Sequence, residues 1–362
     1  MIRVRVRSTA ASYPVRVERG LLDRAGALVG PIARGRVALV TDRTVDRLYG
    51  ARAARSLRRA GLDVARYVIP PGEGSKNLET ARRLAERWAR DGHGRDTVVV
   101  ALGGGVVSDV AGFAAAIFGR GVAWVVFPTT LLAQADASIG GKVGVNLPAG
   151  KNLLGAFHHP RGVFADPSLL ATLAPRAFRS GLAEVAKMGI VRRPAILRRL
   201  RVIAAKRAPS ASTDVAALVR ACATAKAWYV SRDERDSGVR RELNFGHTVG
   251  HALEASEGYR RYLHGEAVSI GMAAALRLSV LMAGLDPVDA LETEALLARL
   301  GLPTRLRRRP GPSFWGALLR DKKRGRKGLR VVLCPAIGAA EVHELSSLTG
   351  LRRALLSLAP RR

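Results

Sequence analysis

Thr97-Val-Val-Val-Ala-Leu102-Gly-Gly-Gly105-Val-Val-Ser-Asp109-Val-Ala-Gly-Phe-Ala-Ala-Ala116 decides the fold. Thr97 to Leu102 is a continuous apolar, β-branched run, the pattern of a strand buried on both faces. Three glycines follow, and then a helical apolar run. That order places flexible backbone where a pyrophosphate must approach closely, with unpaired N–H groups at the helix start pointing at it. The triplet is not the six-residue dinucleotide fingerprint, and a tight turn would use the same residues. Working outward, strands are expected over Val37 to Thr41, ending in Asp42, over Val64 to Ile69, leading into Pro70-Pro71-Gly72-Glu73, and over Ala123 to Phe127, ending in Pro128-Thr129-Thr130. A helix is expected near Val45 to Ala60. Strands alternating with helices predict a parallel, Rossmann-like α/β sheet with ligand sites at the strand C-termini. Asp42 then suits a ribose hydroxyl or a helix N-cap.

From about Leu169 the strand signals fade and helical patterns dominate, as in Val215 to Tyr229 and Val268 to Ala283. Pro167 and Leu173-Ala174-Pro175 mark the boundary, giving a nucleotide-binding α/β domain over 1–168 and a mainly α-helical domain over 169–362. A chain of 362 residues exceeds the size at which one core keeps growing. No window holds 18 uninterrupted apolar residues, and Met1 to Arg7 alternates like a strand, so a soluble cytoplasmic protein with no membrane partner is expected. Cys222 and Cys334 are too few for a disulfide framework or a cysteine zinc site. A net charge of +31 can attract polyanions, yet the arginines are scattered and aromatics are only 5%, so no specific nucleic-acid partner is expected. Arg305 to Arg309 is the best local polyanion patch.

Three of the seven histidines, His247, His251 and His264, fall within eighteen residues, and Glu184 lies on another expected helix. His247 and His251 share one helical face, so both could bind a metal, or one could bind while the other faces substrate. Glu184 with two histidines would make an open three-ligand site suited to zinc or a related divalent ion. Gly140-Gly141-Lys142 and Gly150-Lys151-Asn152 put lysines beside flexible backbone, and Lys187, Lys226 and Arg240 are further cations near the candidate metal residues. A substrate with phosphate and carboxylate groups needs several such partners.

The runs Gly103 to Phe113, Pro128 to Lys142, Gly150 to His158, Gly181 to Lys187, Asn244 to His251 and His264 to Val268 together resemble the 3-dehydroquinate synthase family over essentially the whole chain. The resemblance implies conversion of 3-deoxy-D-arabino-heptulosonate 7-phosphate to 3-dehydroquinate and phosphate, in the shikimate route, with bound NAD and a divalent zinc or cobalt ion. It makes 1–168 the NAD-binding domain and 169–362 the metal and substrate domain. It implies Glu184, His247 and His264 as metal ligands, with His251 turned to substrate. For NAD it implies Asp42, Glu73, Lys76, Gly104, Gly105, Val106, Asp109, Thr129, Thr130, Lys142, Lys151 and Thr172. Lys142, Lys187, His251 and Asp136 are implied as catalytic, and Asn152, Lys226, Arg240, Asn244 and Lys322 as substrate-binding. Arg120 resembles a residue that reaches a neighbouring subunit's site, implying a homodimer. Ser108, Ala186, Met188 and Asp236 depart from the family pattern without removing an implied ligand. Rivals are another sugar phosphate cyclase of secondary metabolism and an iron-type alcohol or glycerol phosphate dehydrogenase; Lys142, Lys226 and Arg240 favour the carboxylated heptulosonate.

Overall fold

The computed structural model describes residues 2–8, 11–33, 35–205, 213–322 and 328–360. In chain order the first elements are β1 (Ile2–Arg7), β2 (Ser12–Val17), α1 (Ala25–Val29), β3 (Val37–Asp42), α2 (Arg43–Val45), α3 (Ala51–Arg59), β4 (Val64–Ile69) and α4 (Leu78–Arg90). Next come β5 (Val98–Gly103), α5 (Gly105–Ile117), β6 (Ala123–Pro128), β7 (Lys142–Leu147), β8 (Gly150–Phe157) and β9 (Val163–Ala165). Then follow α6 (Pro175–Val191), α7 (Pro194–Ala204), α8 (Thr213–Arg232), α9 (His247–Ser256), α10 (His264–Met282) and α11 (Pro287–Arg299). The chain closes with α12 (Pro312–Lys322), β10 (Leu329–Ala336), β11 (Ala339–Leu345) and α13 (Thr349–Leu358).

Two compact units form, Met1–Leu173 with Val215–Arg235, and Ala174–Asp214 with Asp236–Arg362. The contiguous division at 168/169 therefore differs from the packing, which gives most of α8 to the first unit. Within that unit Lys226 of α8 pairs with Asp136.

The first unit is built on a seven-stranded sheet in the order β1-β2-β9-β6-β5-β3-β4, antiparallel at β1–β2 and parallel elsewhere. Val37, Leu39, Val98 and Val100 share one face and pack with Ala25, Val29, Ala53, Ala54 and Leu57 of α1 and α3. Ala38, Val40, Val99 and Ala101 point the other way and are equally buried. Burial on both faces explains why these strands read as unbroken apolar runs. The expected helix over 45–60 is present, running through α2, a π-helical turn at Asp46–Gly50 and α3. An additional antiparallel hairpin, β7–β8, follows the sheet's sixth strand in sequence.

The second unit is mainly helical, as its apolar periodicity implies, with one hairpin, β10–β11. Its core joins Val249 and Leu253 of α9, Ile270 and Leu278 of α10, Phe314 and Leu318 of α12, Leu333 of β10 and Leu355 of α13. Among the described residues α10 alone is long and apolar enough to cross a membrane, yet 72% of that stretch is buried. It is the unit's central helix, which is reason enough for its composition.

Candidate active site

In the first unit the residues singled out for a nucleotide gather beyond the C-terminal ends of β3 to β6. α5 begins at Gly105 with Gly104 at its N-cap and no side-chain cap, so its first-turn amides face outward from the turn. A side chain at Gly104 would meet Thr130 Cγ2 at 2.9 Å, which keeps this approach to the helix start bare. Lys76 pairs with Asp109, whose carboxyl is pushed up by burial against the pull of that ammonium. Lys151 Nζ lies 3.5 Å from Glu73 Oε1, and Asn146 Nδ2 donates to the same oxygen at 2.8 Å. Thr129 N–H donates to the Gly103 carbonyl, and Thr172 Oγ1 lies 2.7 Å from Tyr49 Oη. Val106 lies in the first turn of α5, half-buried. Asp42 caps α2 through Oδ1, accepting from Thr44 and Val45, so the N-cap alternative is realised.

The same unit joins Lys226 to Asp136 at 2.5 Å and starts β7 at Lys142 after two glycines of positive φ. Asn152, itself at φ 55°, donates its amide to Asn146 Oδ1 at 3.0 Å. Arg120 is exposed at φ 67° on the turn after α5.

In the second unit α6, α9 and α10 bring Glu184, His247 and His264 together. They can do so because glycine removes the Cβ at the contacts. At Gly265 a Cβ would stand 1.8 Å from the Ser180 carbonyl oxygen, and at Gly271 one would stand 1.9 Å from that of Gly246. The helices therefore touch backbone to backbone, which sets His264 beside Glu184. Glu184 Oε1 lies 3.3 Å from His264 Nε2 and 3.5 Å from His247 Nε2. One ligand atom from each of the three residues fits within 4.8 Å of the others. Tetrahedral ligands about 2.0–2.1 Å from zinc stand roughly 3.3–3.4 Å apart. The spacing fits a divalent ion. Glu184 is 1% exposed; its Oε2 lies 2.5 Å from the Lys187 ammonium, and its Oε1 is turned to the two imidazole nitrogens. A buried carboxylate needs such partners, and Oε1 is the oxygen that a divalent ion would share with the imidazoles.

Electrostatics agree with this. Burial pushes the Glu184 carboxyl up, but the Lys187 ammonium, 2.5 Å away, and the two imidazoles outweigh it and hold the group well below its ordinary value. Burial and Lys187 keep His247 well below its own ordinary value, hence neutral. Burial opposes charge on His264 as well, yet the carboxylates of Glu184 and Glu254 lift it to about 9. An ionised carboxylate and a neutral imidazole are what a divalent ion binds, and His264 would release a proton on binding it.

Two residues enter that sequence reasoning passed over. Glu254, 2% exposed on α9, faces His264 Nδ1 at 3.4 Å and makes a second ligand group with His251 and His264. It lies one turn after His251, and that spacing was its only signal. Arg241 lines a cavity of about 280 Å³ with Asp236, Asn244, His247, Thr248, His251 and the β10 residues Arg330 and Val332. Neighbouring Arg240 is 3% exposed and outside that lining. The exposed His251 opens on the same cavity, its ring 5.3 Å from that of His247. Lys187 is 1% exposed, against Glu184. The side chain of Lys322 lies outside the described residues.

Comparison with known proteins gives the same picture. Residues 66–180 match the family described as 3-dehydroquinate synthase N-terminal, and residues 181–324 match 3-dehydroquinate synthase C-terminal. The chain is 43% identical to a 3-dehydroquinate synthase of Gloeobacter violaceus, with 99% of each chain covered. A solved 2-epi-5-epi-valiolone synthase of Streptomyces hygroscopicus subsp. jinggangensis, with NAD+ and Zn2+ bound, superimposes with TM-score 0.87 at 29% identity, covering 96% of this chain and 97% of that one. A 2-deoxy-scyllo-inosose synthase complexed with carbaglucose-6-phosphate, NAD+ and Co2+ gives TM-score 0.86 at 25% identity, with 98% and 99% covered. With matches running through both halves of the sequence at this identity, the chain belongs to the 3-dehydroquinate synthase family.

Proposed function

We propose that this protein converts 3-deoxy-D-arabino-heptulosonate 7-phosphate to 3-dehydroquinate and phosphate, using NAD that is regenerated in each cycle and one zinc or cobalt ion. One observation carries the reading: Glu184, His247 and His264 converge at ligand spacing in a chain 43% identical, end to end, to a 3-dehydroquinate synthase. When bound, the metal polarises the substrate's hydroxyls and NAD supplies a reversible hydride acceptor, which acidifies the proton next to the departing phosphate.

The chain's own residues bind, orient and neutralise. Glu184, His247 and His264 hold the metal. His251, exposed on the cavity wall, moves a proton at the substrate. Asn244 and Arg241 bind hydroxyl and anionic groups in that cavity, and Lys187 and Lys142 position substrate. Lys226 and Arg240 balance carboxylate and phosphate charge, and Asp136 orders hydroxyl and nicotinamide contacts while holding Lys226. The bare α5 N-terminus suits the NAD pyrophosphate, with Glu73, Lys76, Asp109 and Lys151 around it. Because Asp42 Oδ1 already caps α2, its other oxygen is the one that would meet the ribose. Fixed cationic groups in a protected cleft stabilise developing negative charge without reorganising.

We place the enzyme in the cytoplasm as a homodimer in which exposed Arg120 reaches the partner's site, and read the +31 charge as scattered surface arginine. The assay supplies purified protein with the heptulosonate phosphate, zinc or cobalt and substoichiometric NAD. Phosphate and 3-dehydroquinate should appear in equal amounts with no net NADH. Net NADH would indicate a dehydrogenase, and phosphate with a different carbocycle another cyclase.

A further inference from the structure

We propose that His159, held by Glu234, is a positioning residue that fixes the turn carrying Lys142, an inference that rests on the reading of Lys142 as substrate-contacting. The turn is Gly140-Gly141, at φ +111° and +66°, and Lys142 opens β7 directly after it. Two such glycines make a pliable approach to a flexible side chain, so the direction of Lys142 must be set from outside. Three contacts set it. The Gly140 amide donates to Tyr13 Oη at 3.0 Å, and the His158 amide donates to the Gly141 carbonyl at 2.8 Å. The His159 ring lies flat on Gly141, so close that a Cβ there would stand 2.8–3.0 Å from Nδ1, Cγ and Cε1.

His159 is itself fixed. Its Nε2 lies 3.1 Å from Glu234 Oε1, with the two side chains 5% and 10% exposed. The Tyr13 ring packs 5.6 Å from it. Glu234 follows the end of α8, and the same helix sends Lys226 to Asp136 at the other end of the 136–142 segment. One stretch of chain thus pins the segment at both ends. A buried imidazole–carboxylate pair holds one ring orientation, whereas a surface contact would leave the turn free. Neither His159 nor Glu234 touches the reacting atoms; both act through Lys142.

The test uses the full chain loaded with metal and NAD. His159→Ala and Glu234→Ala should each lower kcat about 10- to 100-fold, as for a misplaced catalytic group, with metal content unchanged. The double variant should fall no further than either single one, because both act through one turn. Glu234→Gln keeps an oxygen that accepts from Nε2–H and should recover most of kcat. Amide hydrogen exchange of residues 140–142 should accelerate in the two alanine variants and not in Glu234→Gln. Multiplying losses, a glutamine variant as slow as the alanine variant, or unchanged exchange would each overturn the proposal. Should His159→Ala not fold, Glu234→Ala against Glu234→Gln decides alone. Lys142→Ala separates the two readings: at native kcat it defeats the Lys142 role, whereas a slow Lys142→Ala beside a native His159→Ala defeats the positioning role only.

Discussion

At the residue scale the metal centre makes the sharpest demands. Glu184, His247 and His264 act as one constellation, so alanine at any of the three should strip the metal, read by elemental analysis. His251→Ala should keep the metal and lower kcat, because its ring opens on the cavity. A metal-free His251 variant would reverse the assignment. Glu254 receives a role from geometry alone: beside His264 Nδ1 it fixes which nitrogen is offered to the ion. Glu254→Gln should weaken metal affinity about 10- to 100-fold in chelator competition; equal affinity would leave Glu254 as mere neighbouring charge. The histidine group was legible because histidine is scarce here and glycines flank it, while the choice of His247 and His264 with Glu184 over His251 came only from the family resemblance. Glu254 and Arg241 were not, since a carboxylate one turn along a helix and one arginine among dozens look like solvated charge until burial is known.

Elements show where sequence pattern stops. Strands β3, β5 and β6 were readable because burial on both faces writes an unbroken apolar run, whereas the edge strand β4, with Arg66 and Val68 exposed, was readable from its β-branched and aromatic residues. β7–β8 was hidden, as Lys142-Val-Gly-Val-Asn-Leu147 presents a lysine after glycines and resembles an anion loop more than a strand. β10–β11 was hidden by its position after a long helical stretch, though Leu329 to Ala336 is apolar and Gly338 turns at φ 103°. The contact of α6 with α10 depends on Gly265. Gly265→Ala places a Cβ against the Ser180 carbonyl and should cost at least about 1–3 kcal/mol and release the metal. Gly316→Ala, inside α12 with nothing within 4 Å, is the control and should raise stability by roughly 0.5–1 kcal/mol in thermal melts. Equal melting of the two variants would count against the close-approach account.

For the whole molecule, pH dependence separates into two windows. Burial, chiefly, holds His93 and His158 below the ordinary histidine value of 6.5. The unfolded chain therefore binds more protons than the fold as pH falls below 6.5, and stability should drop from there toward the depressed folded values. His264 works in the opposite sense: lifted to about 9, it keeps its proton in the metal-free fold after the unfolded chain has lost it. Its contribution is complete below 6.5 and is lost as pH rises through about 9. Calorimetry of metal-free protein should show both slopes, and metal should abolish the alkaline one. An alkaline slope that survives metal loading would assign it elsewhere.

The excursion of Val215–Arg235 into the first unit bears on biosynthesis. A nascent chain that has exposed residues 1–173 still lacks the segment that holds Asp136 and His159, and must wait about sixty further residues for it, which at roughly 5–20 residues per second is several seconds on the ribosome. The nucleotide half therefore cannot mature ahead of the rest, and a gene cut after codon 173 would yield a partner-seeking fragment instead of a self-sufficient nucleotide-binding protein.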